Sequence, residues 1–317
     1  MKVLLTGATG QLGQSLLKRF PKEWHILAPS SSIFNLQHKR QIREFIQDRS
    51  IDVIINAAAY TAVDLANTEQ KNAFVINTLA PSFMAQLAHQ FNIRFFHLSS
   101  DYVFDGKKVS KSHLTASVRE KERYTELDSP LPLNIYGLSK LLGEQHILRH
   151  NPHSTIIRTS WAFSQYGQNF VKTMLRLGLQ KSPLHVVDDQ WGCPSYIGDV
   201  AQTLIELIQR PEIPAGIYHY SGKEVVSWFE FARQIFQIAS QYNSQFAQVH
   251  LEPISTQNYI AQQKHNKTIA NRPMYSALSC AKIAQYGIQN KSYLKGLEEV
   301  VRENFVQKNP ITSYTKQ

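Results

Sequence analysis

Tyr136 and Lys140 stand four residues apart in Asn134-Ile135-Tyr136-Gly137-Leu138-Ser139-Lys140, a spacing that puts both side chains on one face of a helix. An ammonium beside a phenol lowers the phenol's pKa and brings it toward the range of a useful proton donor. The spacing alone carries little weight. Of the fourteen tyrosines this is the only one with a lysine four positions on, and chance supplies about one such pair in a chain of this size. Weight comes from two further pieces, a glycine-rich turn that opens the chain and a Ser99-Ser100-Asp101-Tyr102 segment that ends an apolar run upstream of the pair. Together the three make a hydride-transfer site.

The segment Gly7-Ala8-Thr9-Gly10-Gln11-Leu12-Gly13 follows a β-rich run directly and precedes a helical one. Gly7, Gly10 and Gly13 allow a tight turn and close phosphate approach, and the amides at the helix start can hold a pyrophosphate without a charged side chain. An acid after the second strand would bind the 2′-hydroxyl of NAD. Here that stretch is Ala28-Pro29-Ser30-Ser31-Ser32, with neither acid nor arginine. A ribose 2′-phosphate is therefore not repelled, so NADPH is favoured and NADH is also admitted. Ser30 is the candidate contact there, with Asn35 and Leu36 placed beside the adenine, although a plain loop accounts for the serines equally well.

Ser100 is the hydroxyl chosen to hydrogen-bond a developing alkoxide while Tyr136 delivers the proton and Lys140 stabilises the tyrosinate and binds the nicotinamide ribose. The other candidates are weaker. His97 and His219 lie in strand-like runs and are expected to be packed. Trp161, after Arg158-Thr159-Ser160, suits sugar stacking and core packing about equally. Asp188-Asp189 is expected to be a turn rather than an acid/base pair. No spacing of His, Cys, Asp and Glu suggests a metal.

These groups need a scaffold that brings distant strand ends together. β-rich runs at 2–6, 24–28, 52–56, 94–99 and 155–160 alternate with helical patterns over 11–20, 36–49, 66–91 and 136–149. Such alternation predicts an α/β fold, a Rossmann-type doubly wound parallel sheet whose ligands sit beyond the carboxyl ends of the strands. Residues 1–165 are expected to form the NAD(P)-binding domain, its sheet completed by parts of 184–210. Residues 166–317 are expected to form mainly a smaller α+β cap, with helices over 169–179, 199–210 and 228–239 and strands over 184–187 and 217–220.

At 317 residues and 43% apolar content the chain can bury a large core. It starts straight into an apolar run with no leader-like pattern and holds no span of membrane length, so a cytoplasmic location and no membrane contact are expected. Two distant cysteines, Cys193 and Cys280, argue against a disulfide framework. The net charge of +10 is compatible with nucleic acid, an anionic surface or a phosphorylated small molecule. The one basic cluster, 107–123, lacks interleaved aromatics, so nucleic acid is not expected and a solvated loop is favoured over an anion-contacting lid.

The motifs resemble those of the dTDP-4-dehydrorhamnose reductase family, a branch of the extended short-chain dehydrogenases, over nearly the whole chain. The resemblance rests on Gly7 to Gly13, Asn56-Ala57-Ala58-Ala59-Tyr60-Thr61-Ala62-Val63-Asp64, Ser99 to Gly106, and Tyr136 with Lys140 and Glu144. It continues through Arg158-Thr159-Ser160-Trp161, Asn169-Phe170-Val171, Asp188-Asp189-Gln190-Trp191-Gly192 and Arg272-Pro273. It implies reduction of the C4 ketone of dTDP-4-dehydro-β-L-rhamnose in dTDP-rhamnose biosynthesis, with a cap that binds the nucleotide sugar. Gly10, Gln11, Leu12, Ala59, Tyr60, Thr61, Leu98, Tyr136 and Lys140 would contact the cofactor. Ser100, Asp101 and Trp161 would contact the substrate, with Asn169, Gln190 and Arg272 lining its pocket.

Three departures stand out: Ser100 where threonine is usual, the serine run, and the basic insertion at 107–123. Gln14-Ser15 also lacks the carboxylates through which some relatives share magnesium, so no metal is expected, and a homodimer is left open. Two rival readings share the fold, a nucleotide-sugar epimerase and a non-catalytic regulatory subunit like that of methionine adenosyltransferase. A dehydratase is disfavoured because Tyr102 stands where its second carboxylate belongs.

Overall fold

A computed structural model describes residues 1–109, 115–180, 183–262 and 269–306. Six parallel strands form the central sheet: β1 (Lys2–Thr6), β2 (His25–Leu27), β3 (Val53–Asn56), β4 (Arg94–Ser100), β5 (Thr155–Thr159) and β6 (Gly216–His219). Their order is β6-β5-β4-β3-β1-β2. The winding therefore reverses between β1 and β3, and the crevice for a ligand opens at that switch point.

The strands are buried on both faces, which is why they are apolar at successive positions. On one face Val3, Leu5, Val53, Ile55, Phe96 and Ile157 pack under the helices Gln11–Arg19 and Ile197–Gln209. On the other, Leu4, Ile54, Phe95 and Ile156 pack with Ile42, Met84, Leu87 and Ile147 from the helices that follow β2, β3 and the basic insertion. With a period of two, this second face continues past its apolar residues to Thr6, Asn56, His97, Ser99 and Arg158 at the carboxyl ends. The Ile135–His150 helix lies along this face and sets Tyr136, Lys140 and Glu144, one turn apart, near those polar ends.

The sheet is completed from further along the chain than 184–210. Leu184–Val187 instead pairs with Leu251–Ile254 outside the central sheet. The Ile197–Gln209 helix supplies the crossover that a new parallel strand requires, so the sixth strand is β6, expected in the cap but joined to β5 in the main sheet. The helical pattern over 66–91 is also interrupted, by a π-turn at Val75–Leu79 between Gln70–Phe74 and Ala80–Gln90. The smaller half has its own core, in which Phe163, Phe231, Ile235, Leu297 and Val300 are fully buried. Residues 110–114 of the 107–123 cluster lie outside the described residues; of the rest, Lys108 pairs with Asp128 and Arg119 with Glu230, so these two cations are held against the fold rather than free in solvent.

Candidate active site

The glycine turn is built so that no side chain can fill it. Gly7 sits at φ +68, and a Cβ there would lie 2.6 Å from the Ala58 nitrogen. A Cβ on Gly13 would come within 2.2 Å of the Gly7 oxygen, so the helix must start this close to the strand. Gly10 is the N-cap residue, offers no side-chain cap, and is exposed. The first amides of the Gln11–Arg19 helix are thus left without side-chain partners, at the positive end of its dipole, facing the crevice at the switch point. This cradle fits a dinucleotide pyrophosphate. Of the remaining sequence candidates, Ser30 bonds Ser32 through their hydroxyls at 2.7 Å on an exposed turn. Asn35 receives the Gln37 amide, and Leu36 is partly buried beside it.

Ala59, Tyr60 and Thr61 follow β3, and one side chain fixes them. Asn77, inside the π-turn, accepts from the Tyr60 amide at 2.8 Å and donates to the Tyr60 carbonyl at 3.0 Å and to Ser139 Oγ at 3.0 Å. The π-turn also lays the Asn77 carbonyl on Gly143, where a Cβ would sit 2.2 Å away. The loop, the π-turn and the helix of Tyr136 are thereby one unit. Such single-turn π insertions recur at functional sites.

Ser100 and Tyr136 meet at the end of β4. Ser100 accepts from the Tyr102 amide and donates to Asp101 Oδ1 at 3.0 Å. Tyr136 is partly buried, edge-on to Tyr102 with ring centroids 5.7 Å apart. Burial pushes its phenol up to about 12, opposed by a hydrogen bond with Ser100 and reinforced by the negative charge of Asp101. The lowering expected from Lys140 is thus not what the structure shows. Lys140 Nζ directs its hydrogen bonds elsewhere, to the Leu98 carbonyl at 2.6 Å and His97 Nε2 at 3.2 Å. Burial also lowers Lys140 to about 8, against the attraction of Glu144. Asp101 is raised to about 7 by burial, although hydrogen bonds from Ser276 and Ser100 hold it back, and its Oδ2 is buried without a partner.

The remaining substrate candidates divide. Trp161 has a backbone φ of +44, an uncommon conformation for a bulky residue. Its ring lies flat on Trp228, with centroids 3.5 Å apart, and against Gly192, where any Cβ would collide with the indole. Buried Gln190 joins this wall by accepting from Trp228 Nε1 at 3.3 Å. Arg272 pairs with Asp64 at 2.9 Å, linking a segment of the second half to the loop after β3. Asn169 sits elsewhere: it caps the Phe170–Gly178 helix and donates to Gln11 Oε1 at 3.1 Å, on the side of the glycine turn. Asp188 and Asp189 are structural, accepting from Ser227 Oγ and from the Thr256 amide. Among the described residues no group of His, Cys, Asp and Glu is arranged to hold a metal ion, and no helix is long and apolar enough to cross a membrane.

Sequence reasoning passed over Asn77, Trp228 and the polar role of His97. It also missed Glu144 with Arg158, a buried pair at 2.6 Å whose carboxylate further accepts from Ser99.

The chain matches the RmlD substrate binding domain family over residues 1–305. It is 39% identical to a dTDP-4-dehydrorhamnose reductase of Aggregatibacter actinomycetemcomitans, over 94% of this chain and 98% of that one. The spore coat polysaccharide biosynthesis protein SpsK of Bacillus subtilis is 36% identical over 95% of this chain and 97% of its own. Among solved structures, a dTDP-4-dehydrorhamnose reductase of Bacillus anthracis in complex with NADP superposes with a TM-score of 0.82 at 34% identity, covering 95% of this chain and 99% of that one. A UDP-glucose 4-epimerase of Thermus thermophilus, 16% identical with a TM-score of 0.72, shares the fold. The motifs, the doubly wound sheet and these relatives agree: this chain belongs to the dTDP-4-dehydrorhamnose reductase family.

Proposed function

We propose that this chain is an NADPH-dependent reductase, able also to use NADH, that converts the C4 ketone of dTDP-4-dehydro-β-L-rhamnose to the alcohol of dTDP-β-L-rhamnose. The observation that carries the reading is the meeting of Ser100 and Tyr136 at the mouth of the β1/β3 crevice, beside a glycine turn shaped for a dinucleotide. When bound, NADPH would be the source of the hydride that the ketone carbon takes up.

The protein's own groups handle the oxygen. Ser100 donates a hydrogen bond to the oxyanion that develops, and Tyr136, protonated throughout the neutral range, gives it a proton. Lys140 offsets the tyrosinate charge and holds the nicotinamide ribose. Gly7, Gly10, Gln11, Leu12 and Gly13 take the pyrophosphate, Ser30, Asn35 and Leu36 the adenosine end, and Ala59 to Thr61 with Leu98 the nicotinamide side. Asp101, Trp161, Gln190 and Arg272 form the sugar-nucleotide side. Asn169 acts through Gln11, whose side chain it holds.

The test is NADPH oxidation against dTDP-4-dehydrorhamnose and related 4-keto sugars, in wild type and in Tyr136→Phe. Removing one hydroxyl should leave NADPH affinity intact and lower kcat by roughly 10²- to 10⁴-fold. Full turnover in that variant overturns the proton-donor assignment. Tightly retained NAD with no net NADPH consumption overturns the reductase in favour of an epimerase.

A further inference from the structure

Four buried side chains run in line across the carboxyl ends of the sheet to the active-site helix. Thr6, Asn56 and His97 are cross-strand neighbours in the β1, β3 and β4 register, on the face that meets Lys140. Thr6 Oγ1 lies 2.6 Å from Asn56 Oδ1, Asn56 Nδ2 lies 2.9 Å from His97 Nδ1, and His97 Nε2 lies 3.2 Å from Lys140 Nζ. All four residues are no more than 3% exposed. Three neutral, hydrogen-bonding groups in a row therefore end on the one ammonium that the proposed reaction uses.

The hydrogen-bond directions admit two arrangements. When Lys140 is charged its proton needs an acceptor, so His97 Nε2 must present a lone pair. Its proton then sits on Nδ1 and is given to the Asn56 amide oxygen, with the amide nitrogen turned to Thr6. When Lys140 is neutral, His97 Nε2–H can donate to it. Nδ1 then accepts from the amide nitrogen and the Thr6 hydroxyl donates to the amide oxygen. An imidazolium has no acceptor to offer in either case. Burial and the nearby Lys140 both oppose its formation, which agrees with a His97 pKa held well below the usual histidine range.

We propose that His97, backed by Asn56 and Thr6, is the positioning residue for Lys140: it holds Nζ in place and favours the ammonium, changing its ring tautomer when Lys140 loses its proton. Across that change one proton leaves the pair to solvent and the ring keeps one throughout. The inference rests on the reading of Lys140 as the partner of Tyr136 at the cofactor. The charged group that acts on this pair is Glu144 on the same helix, itself paired with Arg158 from β5, while Tyr136, one turn earlier on that helix, is the group that feels the charge of Asp101 after β4. The other adjoining elements present neutral Thr6, Asn56, Asn77 and Thr78.

The test compares His97→Phe, His97→Gln and Lys140→Met. Loss of a charge-assisted hydrogen bond should move the basic limb of kcat/KM for NADPH, expected near pH 8 in wild type, down by about one pH unit in His97→Phe. His97→Gln, which keeps an acceptor, should restore it to within a few tenths of a unit. An unmoved limb in His97→Phe, with only a lower melting temperature, means a structural histidine and overturns the proposal. In wild type, ¹⁵N shifts of the His97 ring, identified by their absence from His97→Gln, should pass from the Nδ1–H to the Nε2–H tautomer across the same limb. A fixed tautomer, or a protonated ring, also overturns it and requires no Phe variant to fold. If Lys140→Met loses activity while the His97 variants leave the limb unmoved and the wild-type His97 ring keeps one tautomer across it, this inference alone fails. If Lys140→Met is fully active, the reading of the site fails with it.

Discussion

The two walls of the crevice are built on opposite principles. The wall of strand ends and the Ile135–His150 helix is polar and enclosed, with Ser99, Lys140, Glu144, Arg158 and His97 all under 4% exposed and joined to one another. The wall proposed for the sugar is aromatic and partly open: Trp161 on Trp228, with Phe170 4.6 Å beyond and Phe231 behind it. The first wall holds chemical groups at fixed positions in a medium where charge is costly, so a change there should be felt through the whole fold. The second offers flat apolar area and a few amides, so a change there should be felt by a ligand. On the function proposed above, the handling of charge and the recognition of shape fall to different parts of the site.

The largest effect expected from breaking the polar wall is on stability. Arg158 sends Nε and Nη2 to the Glu144 carboxylate, its guanidinium lies 5.2 Å over Phe104, and Nη1 is 3.4 Å from His219. Glu144→Gln keeps the shape but leaves a buried guanidinium without its counter-charge, a change that typically costs about 3–5 kcal/mol. Urea unfolding should show that loss at pH 7. A change under about 1 kcal/mol would mean that water reaches Arg158 and that the wall is not closed.

A smaller effect, with a distinctive pH signature, is expected from Asp101. Its folded pKa is raised from 3.8 to about 7, chiefly by burial. Between these values the unfolded chain has released a proton that the folded chain keeps, so this group's contribution to stability falls as pH rises from about 4 to 7 and is level above. Buried His97 and His219, both lowered, act in the opposite sense. The difference between wild type and Asp101→Asn isolates the carboxyl. The variant should gain relative stability from pH 4 to 7, on the order of a few kcal/mol. A parallel pair of stability curves would show that Asp101 is ionised in the folded protein at acid pH.

The polar wall was also the more legible in sequence, because its signals are local. Strand β1 runs into Gly7, an Asn134 cap starts the helix, and Tyr136 and Lys140 sit one turn apart; each is a relation between near neighbours. What was missed depends on distant pairing. His97 reads as a packed strand histidine until its partner Asn56, 41 positions away, is placed beside it. The π-turn has no marker of its own, and a helical period runs through it unbroken. Asn169 shows both kinds of signal: an asparagine just before a helix carries the signature of a cap, and the structure uses it so, whereas its hydrogen bond to the distant Gln11 has no local sign. The aromatic wall joins Trp161 and Phe170 to Trp228 and Phe231, far apart in the chain, and nothing in Trp228 alone indicates that it backs Trp161.

The smallest effect expected is at Trp228, and it tests the comparison most directly. The ring is only partly buried, so truncation removes less packing than loss of a core aromatic, while the indole that keeps Trp161 flat disappears. Stacked aromatic pairs contribute about 0.5–1.5 kcal/mol beyond area. With Trp161 as the sugar-facing ring, Trp228→Ala should raise KM for the dTDP-sugar roughly two- to tenfold. NADPH affinity should stay unchanged, because no residue of the glycine turn touches this stack. Gln190 loses its indole partner in the same variant but keeps Thr256, so the amide stays fixed. Loss of NADPH binding in Trp228→Ala would couple the two walls and end the division of labour; a raised KM alone would sharpen it, by assigning shape recognition to a stack whose strained member, Trp161, is held by its neighbour.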